Sequence, residues 1–333
     1  MKIQSGDFPK ITIITPSFNQ GNYIEETILS VITQDYPNFE YIVIDGGSSD
    51  NTIDILNKYS DRINFWVSEK DKGQADAINK GFRMSTGEIV NWINSDDQLL
   101  PDALHKIAKR FSEHPDAIMI HGRIEYFGEV KHNFFSRNLS LRDISSKYVA
   151  HICMPQPATF YRMKLLEEQG LLEENLRFSM DTDLFVRAGL HYKIVQTEDV
   201  LARFRLHAAS KSVSSFNRNF LVENAIIFSR VLKTLGDEKA VKKLDSIGLY
   251  TEPLVLYNKP AKKFDTNKLI FHFISHRLYT LYYHRDKKEF KKLFNFLMRN
   301  YKFRLFMYVK LLAYRSSLFL PQGFLHSLVK KKK

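Results

Sequence analysis

Residues 11–52 read ITIITPSFNQGNYIEETILSVITQDYPNFEYIVIDGGSSDNT, two strand–turn–helix units in succession. The run 11–15 is β-branched throughout, which favours a pleated strand, and Pro16 interrupts it. Ile24, Ile28, Val31 and Ile32 then recur at the 3.6-residue spacing of a helix face. A second apolar run, FEYIVI at 39–44, is stopped by Asp45-Gly46-Gly47. Asp50 stands where its carboxylate can cap a helix running through Ile53 and Leu56.

The same alternation continues outward. Residues 63–67 predict a third strand and 75–84 a helix closed by Ser85-Thr86-Gly87. Residues 89–93 predict a fourth strand ending at Asn94-Ser95-Asp96-Asp97. Pro101 fits the opening of a helix reaching about Glu113, and a fifth strand begins within 117–120. Strands alternating with helices predict an α/β fold with a mainly parallel sheet covered on both faces. Ligands of such sheets bind beyond the carboxyl ends of the strands. The polar clusters Ser17-Phe18-Asn19, 45–50 and 94–97 all fall there. Carboxylate-bearing turns on one rim suit a nucleotide diphosphate and a divalent cation, because Mg2+ and Mn2+ take oxygen ligands from one or two carboxylates and from substrate phosphates. Asp96 and Asp97 are the candidate ligands. No phosphate-binding GxxxxGK[ST] loop is present, and the first turn reads PSFNQG rather than GxGxxG, which excludes a P-loop site and disfavours a dinucleotide fold.

Five blocks in order, the opening run 11–52, SEKDKGQADAINKGF at 68–82, TGEIVNWINSDD at 86–97, FSMDTDLFVRAG at 178–189 and RFRLHAASKS at 203–212, resemble the family 2 glycosyltransferases. The resemblance covers roughly residues 11–212. It implies the GT-A fold, with a C-terminal helical extension here, and an inverting sugar transfer from a nucleotide-diphosphate sugar (UDP-hexose or UDP-N-acetylhexosamine) to a hydroxyl of a glycan or lipid-linked glycan. Carried onto matching positions, it implies donor contacts at Pro16, Phe18, Asn19, Asp45, Gly73, Asp76, Ser95 and Asp96. A divalent cation, Mn2+ or Mg2+, would sit at Asp96, Asp97 and His207. Asp181 would be the catalytic base that deprotonates the acceptor hydroxyl. Gln156, in HICMPQPAT at 151–159, is a candidate acceptor contact, and Asp183 a supporting group paired with Arg187 at i, i+4. Two positions depart from the family pattern: Asn94 stands where many members have the first metal-site Asp, and Gly46 where a second Asp is common.

Texture changes after residue 212. Residues 1–212 hold 24 Lys and Arg against 29 Asp and Glu, whereas residues 213–333 hold 25 against 8, so the whole net charge of +12 belongs to the last third. Phe290, Leu293, Phe294, Leu297, Tyr301, Leu305, Tyr308 and Leu312 recur near helical spacing among Lys and Arg. This predicts a division into a catalytic domain, 1–212, and a basic aromatic helical region, 213–333, on the acceptor or membrane-surface side. An anionic membrane is the expected partner, with a place in the cytoplasm on the inner face of the cell membrane. One cysteine, Cys153, leaves no intramolecular disulfide. Residues 1–10 hold no apolar run, so no signal peptide is expected. Two other readings stay open: a nucleotidyltransferase, disfavoured because no glycine-rich basic loop follows the first strand, and a basic nucleic-acid-binding protein. Nucleic acid is not the expected partner, because the positive charge lies away from every motif.

Overall fold

The computed structural model describes residues 8–141, 143–150, 154–210 and 218–301. Strands β1 (Ile11–Ser17), β2 (Phe39–Asp45), β3 (Phe65–Ser68) and β4 (Ile89–Trp92) are joined through helices α1 (Ile24–Ile32), α2 (Thr52–Lys58) and α3 (Gln74–Met84). Then follow β5 (Gln98–Leu99), α4 (Ala103–Glu113), β6 (Ala117–Gly128), β7 (Phe134–Phe135), α5 (Ile144–Val149) and a single 3-10 turn, Gln156–Ala158. The remaining elements are β8 (Thr159–Arg162), α6 (Lys164–Gln169), α7 (Met180–His191), β9 (Lys193–Leu206), α8 (Asn219–Leu235), α9 (Glu238–Asp245), α10 (Thr266–Tyr283) and α11 (Lys287–Asn300).

One sheet orders its strands β3-β2-β1-β4-β8-β6-β9-β5, with β7 on β6. The expected parallel pattern holds across β3, β2, β1 and β4. Beyond β4 the sheet is mixed: β8 runs antiparallel to both β4 and β6, β9 parallel to β6, and β5 antiparallel to β9. Strand alternation divides the core between the two faces. Ile11 and Ile13 pack with α1, α2 and α4, while Ile14, Ile42 and Ile44 pack with α3 and α7. Gly81 permits that second contact: a Cβ there would lie 2.6 Å from Ile14 Cγ2.

Helices α8 to α11 share the core of the α3 and α7 face, Phe228, Val231, Leu269, Phe273 and Phe290 among them. The aromatic stripe read as an interfacial face therefore turns inward over α11, where Phe290, Leu293, Phe294 and Leu297 are at most 2% exposed. An apolar stripe at helical spacing buries itself against any apolar neighbour the fold supplies, and here α10 supplies it. Leu305, Tyr308 and Leu312 lie outside the described residues, as do Cys153 and the division point after residue 212. Among the described residues, no helix is long and apolar enough to cross a membrane.

Candidate active site

The carboxyl ends of β1 and β2 are stitched to one another. Asn19, in the left-handed region at φ 52, donates its N–H to Ser48 Oγ at 2.7 Å and accepts from Ser49 N on Oδ1 at 2.9 Å. Gly21 N donates to Asp50 Oδ2 at 2.9 Å, and Gln20 N to Thr52 Oγ1 at 3.0 Å. Asp50 also accepts from Thr52 N at 3.0 Å, so it serves the start of α2 as expected. Pro16 is buried within β1, and Phe18 is 58% exposed at the rim. Asp45 is 0% exposed: it accepts from Gly47 N (3.0 Å), Ser48 N (2.8 Å), Ser48 Oγ (2.5 Å) and Ser68 Oγ (2.6 Å). Three of these bonds fall on Oδ2 and one on Oδ1, and together they shape the 46–48 turn.

The β3–α3 loop closes on the same rim. Gly73 precedes α3 at φ 124, a conformation that disfavours any side chain, and a Cβ there would meet nothing within 4 Å, so its backbone faces open space. Asp71 Oδ1 accepts from Gly73 N at 2.8 Å, and Asp76 Oδ2 from Lys72 N at 3.0 Å. Gln74 Nε2 donates to Asn94 Oδ1 at 2.8 Å, tying α3 to the turn after β4.

That turn carries Ser95, which is 5% exposed, and the two aspartates, which diverge. Asp96 Oδ2 lies 3.0 Å from His207 Nε2. Asp97, 1% exposed, instead accepts from Arg205 N at 3.0 Å and Asn94 Nδ2 at 3.4 Å. Burial, and after it the charge of Asp96, hold the Asp97 carboxyl well above the usual carboxylate range. Arg205 binds the constellation together. Its Nε donates to Asp96 O at 3.0 Å, an NH2 group reaches Glu26 at 2.6 Å, and its guanidinium lies 5.1 Å from the centre of the Tyr23 ring. Tyr23 in turn packs on His207, ring centres 4.6 Å apart. Arg205, Tyr23 and Glu26 were not singled out from the sequence, although the first lies inside the RFRLH block.

Asp181 occupies the first turn of α7, as expected, and accepts from Thr182 N at 2.7 Å. Burial raises its pKa from 3.8 to about 6, with the Glu223 charge a lesser contribution. Glu223, on α8, accepts from the backbone N–H groups of Arg177 (2.9 Å), Phe178 (2.9 Å) and Ser179 (2.7 Å), which fixes the entry to α7. Nothing in the sequence marks it, since its partners lie 44–46 residues away. Asp183 pairs with Arg187 at 2.9 Å as expected, and also accepts from Arg230 (3.2 Å) and Tyr257 OH (2.5 Å). Asn79 on α3 donates to Leu172 O and accepts from Leu172 N, both at 2.9 Å, so the segment leading to Asp181 is fastened to the donor-side helix. No hydrogen bond joins Asp181 to the rim turns among the described residues. Gln156 directs its amide NH2 inward, to Trp92 O at 2.8 Å.

With this geometry in place, residues 12–170 match the model of the family described as Glycosyl transferase family 2. Residues 12–170 thus carry a family 2 glycosyltransferase domain. A curated relative of the transferase is the GalNAc(5)-diNAcBac-PP-undecaprenol beta-1,3-glucosyltransferase of Campylobacter jejuni, 32% identical over 172 residues (50% of this chain, 56% of that one). Among solved structures, S. aureus TarS 1-349 in complex with UDP-GlcNAc superposes with a TM-score of 0.57 at 18% identity, covering 86% of this chain and 79% of that one. The mannosyltransferase PcManGT of Pyrobaculum calidifontis, in complex with GDP-Man and Mn2+, has a TM-score of 0.52 at 20% identity, covering 95% and 82%. At these identities the structural likeness establishes the GT-A fold.

Proposed function

We propose that the protein transfers a sugar, with inversion, from a nucleotide-diphosphate sugar to a hydroxyl of a glycan or lipid-linked glycan, in the building of a polysaccharide or glycolipid. The observation that carries this reading is the Asp96–His207 pair, 3.0 Å apart at the carboxyl end of the parallel strands. UDP-hexose or UDP-N-acetylhexosamine is the donor class we favour, since a solved neighbour holds UDP-GlcNAc.

The residues fit a divalent cation. Asp96 Oδ2 and His207 Nε2 lie 3.0 Å apart, close enough for one small ion to take both as ligands. Among the described residues no group of three His, Cys, Asp or Glu side chains could hold the ion. Diphosphate oxygens would complete the shell, as is usual for Mg2+ and Mn2+. Asp97, held by Arg205 N, belongs behind this pair as its support. When bound, the cation supplies Lewis-acid stabilisation of the departing diphosphate.

The chain's own groups supply the rest. Phe18, Asn19, the 46–48 turn and the Gly73 backbone form the rim on which the nucleoside and diphosphate would lie. Asp181 takes the acceptor hydroxyl proton as that oxygen attacks the anomeric carbon and the bond to the diphosphate breaks. A carboxylate with a pKa near 6 is still largely ionised at pH 7 and is a stronger base than an exposed one. Residues 1–212 would perform the chemistry and 213–333 would face the acceptor and an anionic membrane, in the cytoplasm on the inner face of the cell membrane. A thermal-unfolding scan with UDP, GDP, dTDP and ADP, each with and without Mn2+, tests the reading. A ligand at 100 times its Kd stabilises the native state by about 2.7 kcal/mol. A Mn2+-dependent shift with one diphosphate supports the proposal, and no shift with any of them contradicts it.

A further inference from the structure

Residues 251–264, TEPLVLYNKPAKKF, join α9 to α10 without helix or strand. At their tip Leu254 is 102% exposed, Val255 59% and Leu256 51%. Three consecutive large aliphatic side chains in water are a patch that soluble surfaces avoid, and such patches mark interaction sites. The tip is held outward by anchors at its base. Thr251 N donates to Ser229 Oγ at 3.1 Å, Tyr257 N to Thr234 Oγ1 at 3.1 Å and Tyr257 OH to Asp183 at 2.5 Å, and Pro260 is buried. Exposed Lys259, Lys262 and Lys263 follow immediately, and none of them forms an ion pair among the described residues. The nearby acids are engaged: Glu252 with Lys233 at 3.4 Å, and Asp265 as the cap of α10.

We propose that the loop 251–264 is a membrane-docking wedge, with Leu254, Val255 and Leu256 entering the headgroup–acyl boundary of an anionic bilayer and Lys259, Lys262 and Lys263 lying on its phosphates. An apolar tip with a basic collar matches that interface, where apolar burial and attraction to anionic lipid add. The segment of sequence in which the loop lies, 213–333, has the same sign, with 25 basic against 8 acidic residues. The proposal rests on the transferase reading and deepens it. Val255, Leu256 and Tyr257 also line an open cavity of about 520 Å3 that reaches Asp183, Arg187 and Arg230 beside the Asp181 helix. A docked loop presents that cavity to the membrane, the side from which a lipid-linked acceptor arrives.

The test is sedimentation of the full chain with vesicles of phosphatidylcholine, alone or with phosphatidylglycerol. Wild type should bind the anionic vesicles selectively. The exposed-site variants Leu254→Ser/Val255→Ser/Leu256→Ser and Lys259→Gln/Lys262→Gln/Lys263→Gln should each lose ~10-fold or more in affinity, a single lysine near such a surface being worth about fivefold. Both should keep the wild-type Tm and the wild-type thermal shift with UDP and Mn2+, which shows fold and donor site intact. Wild-type vesicle affinity in the serine variant overturns the proposal. So does equal binding to neutral vesicles, or an affinity that depends on residues 302–333 and not on the loop. Loop-dependent binding in a chain that shows no nucleotide shift would contradict the transferase reading while leaving the wedge in place.

Discussion

Asp181 carries the most testable chemistry at the residue scale. Its pKa of about 6 comes chiefly from burial, which penalises the charged form. As a base it must be ionised, so the transfer rate should fall tenfold per pH unit below about 6 and level off above it, as a pH–kcat/KM profile would record. Asp181→Asn should keep the UDP-induced thermal shift and lose ~100-fold or more in transfer. The same shift fixes a stability sign. The folded-state pKa is raised, so the cost of the charged form is absent below pH 4 and fully present above about pH 6. Asp181→Asn should therefore melt like wild type near pH 4 and be more stable at pH 8 by about 1–3 kcal/mol, read by calorimetry. The place of Asp181 in the first turn of α7 was legible because a short acidic motif opening an apolar helix is a local signal. The divergence of Asp96 and Asp97 was not, since it depends on the backbone of Arg205, 108 residues away.

Elements position these groups through few contacts, and Glu223 is the clearest case. One carboxylate from α8 receives three N–H groups at the entry to α7. Losing it leaves three N–H groups, two of them part-buried, without this partner, at about 1–3 kcal/mol for the set. Glu223→Ala should lower Tm by a corresponding amount and reduce kcat more than it raises the donor KM, whereas Glu223→Gln should recover part of both. Steady-state kinetics with donor varied at saturating acceptor would separate the two parameters. Between α3 and β1, Gly81→Ala should cost about 1–3 kcal/mol, because the added carbon meets Ile14 at 2.6 Å and a packed core yields little. Strands β1 to β4 and helices α1 to α4 were legible because their periodicity and turn residues are local. Two-residue β5 and the reversal of direction at β8 were not, since antiparallel pairing there joins residues far apart in sequence.

Across the whole molecule, helices α8 to α11 of the basic last third share one core cluster with α3 and α7 of the acidic first two thirds. Composition located the change in texture after residue 212 but could not tell an apolar stripe that meets lipid from one that meets α10. The structure buries the stripe of α11 and exposes instead Leu254, Val255 and Leu256 of the loop 251–264, a short segment with no periodicity to reveal it. The rim at the carboxyl ends of the strands was legible in outline, because an α/β sheet with one-sided polar turns has one place to bind a ligand. At this rim the proposed cation, shared by Asp96 and His207, is what a nucleotide diphosphate binds through. Titration calorimetry of UDP into wild type and Asp96→Ala, with Mn2+ and with a chelator, tests this most directly. Wild type should bind UDP with Mn2+, and both the chelator and Asp96→Ala should weaken that binding ~10-fold or more. Equal affinity in all four titrations, or no binding in any, would contradict it.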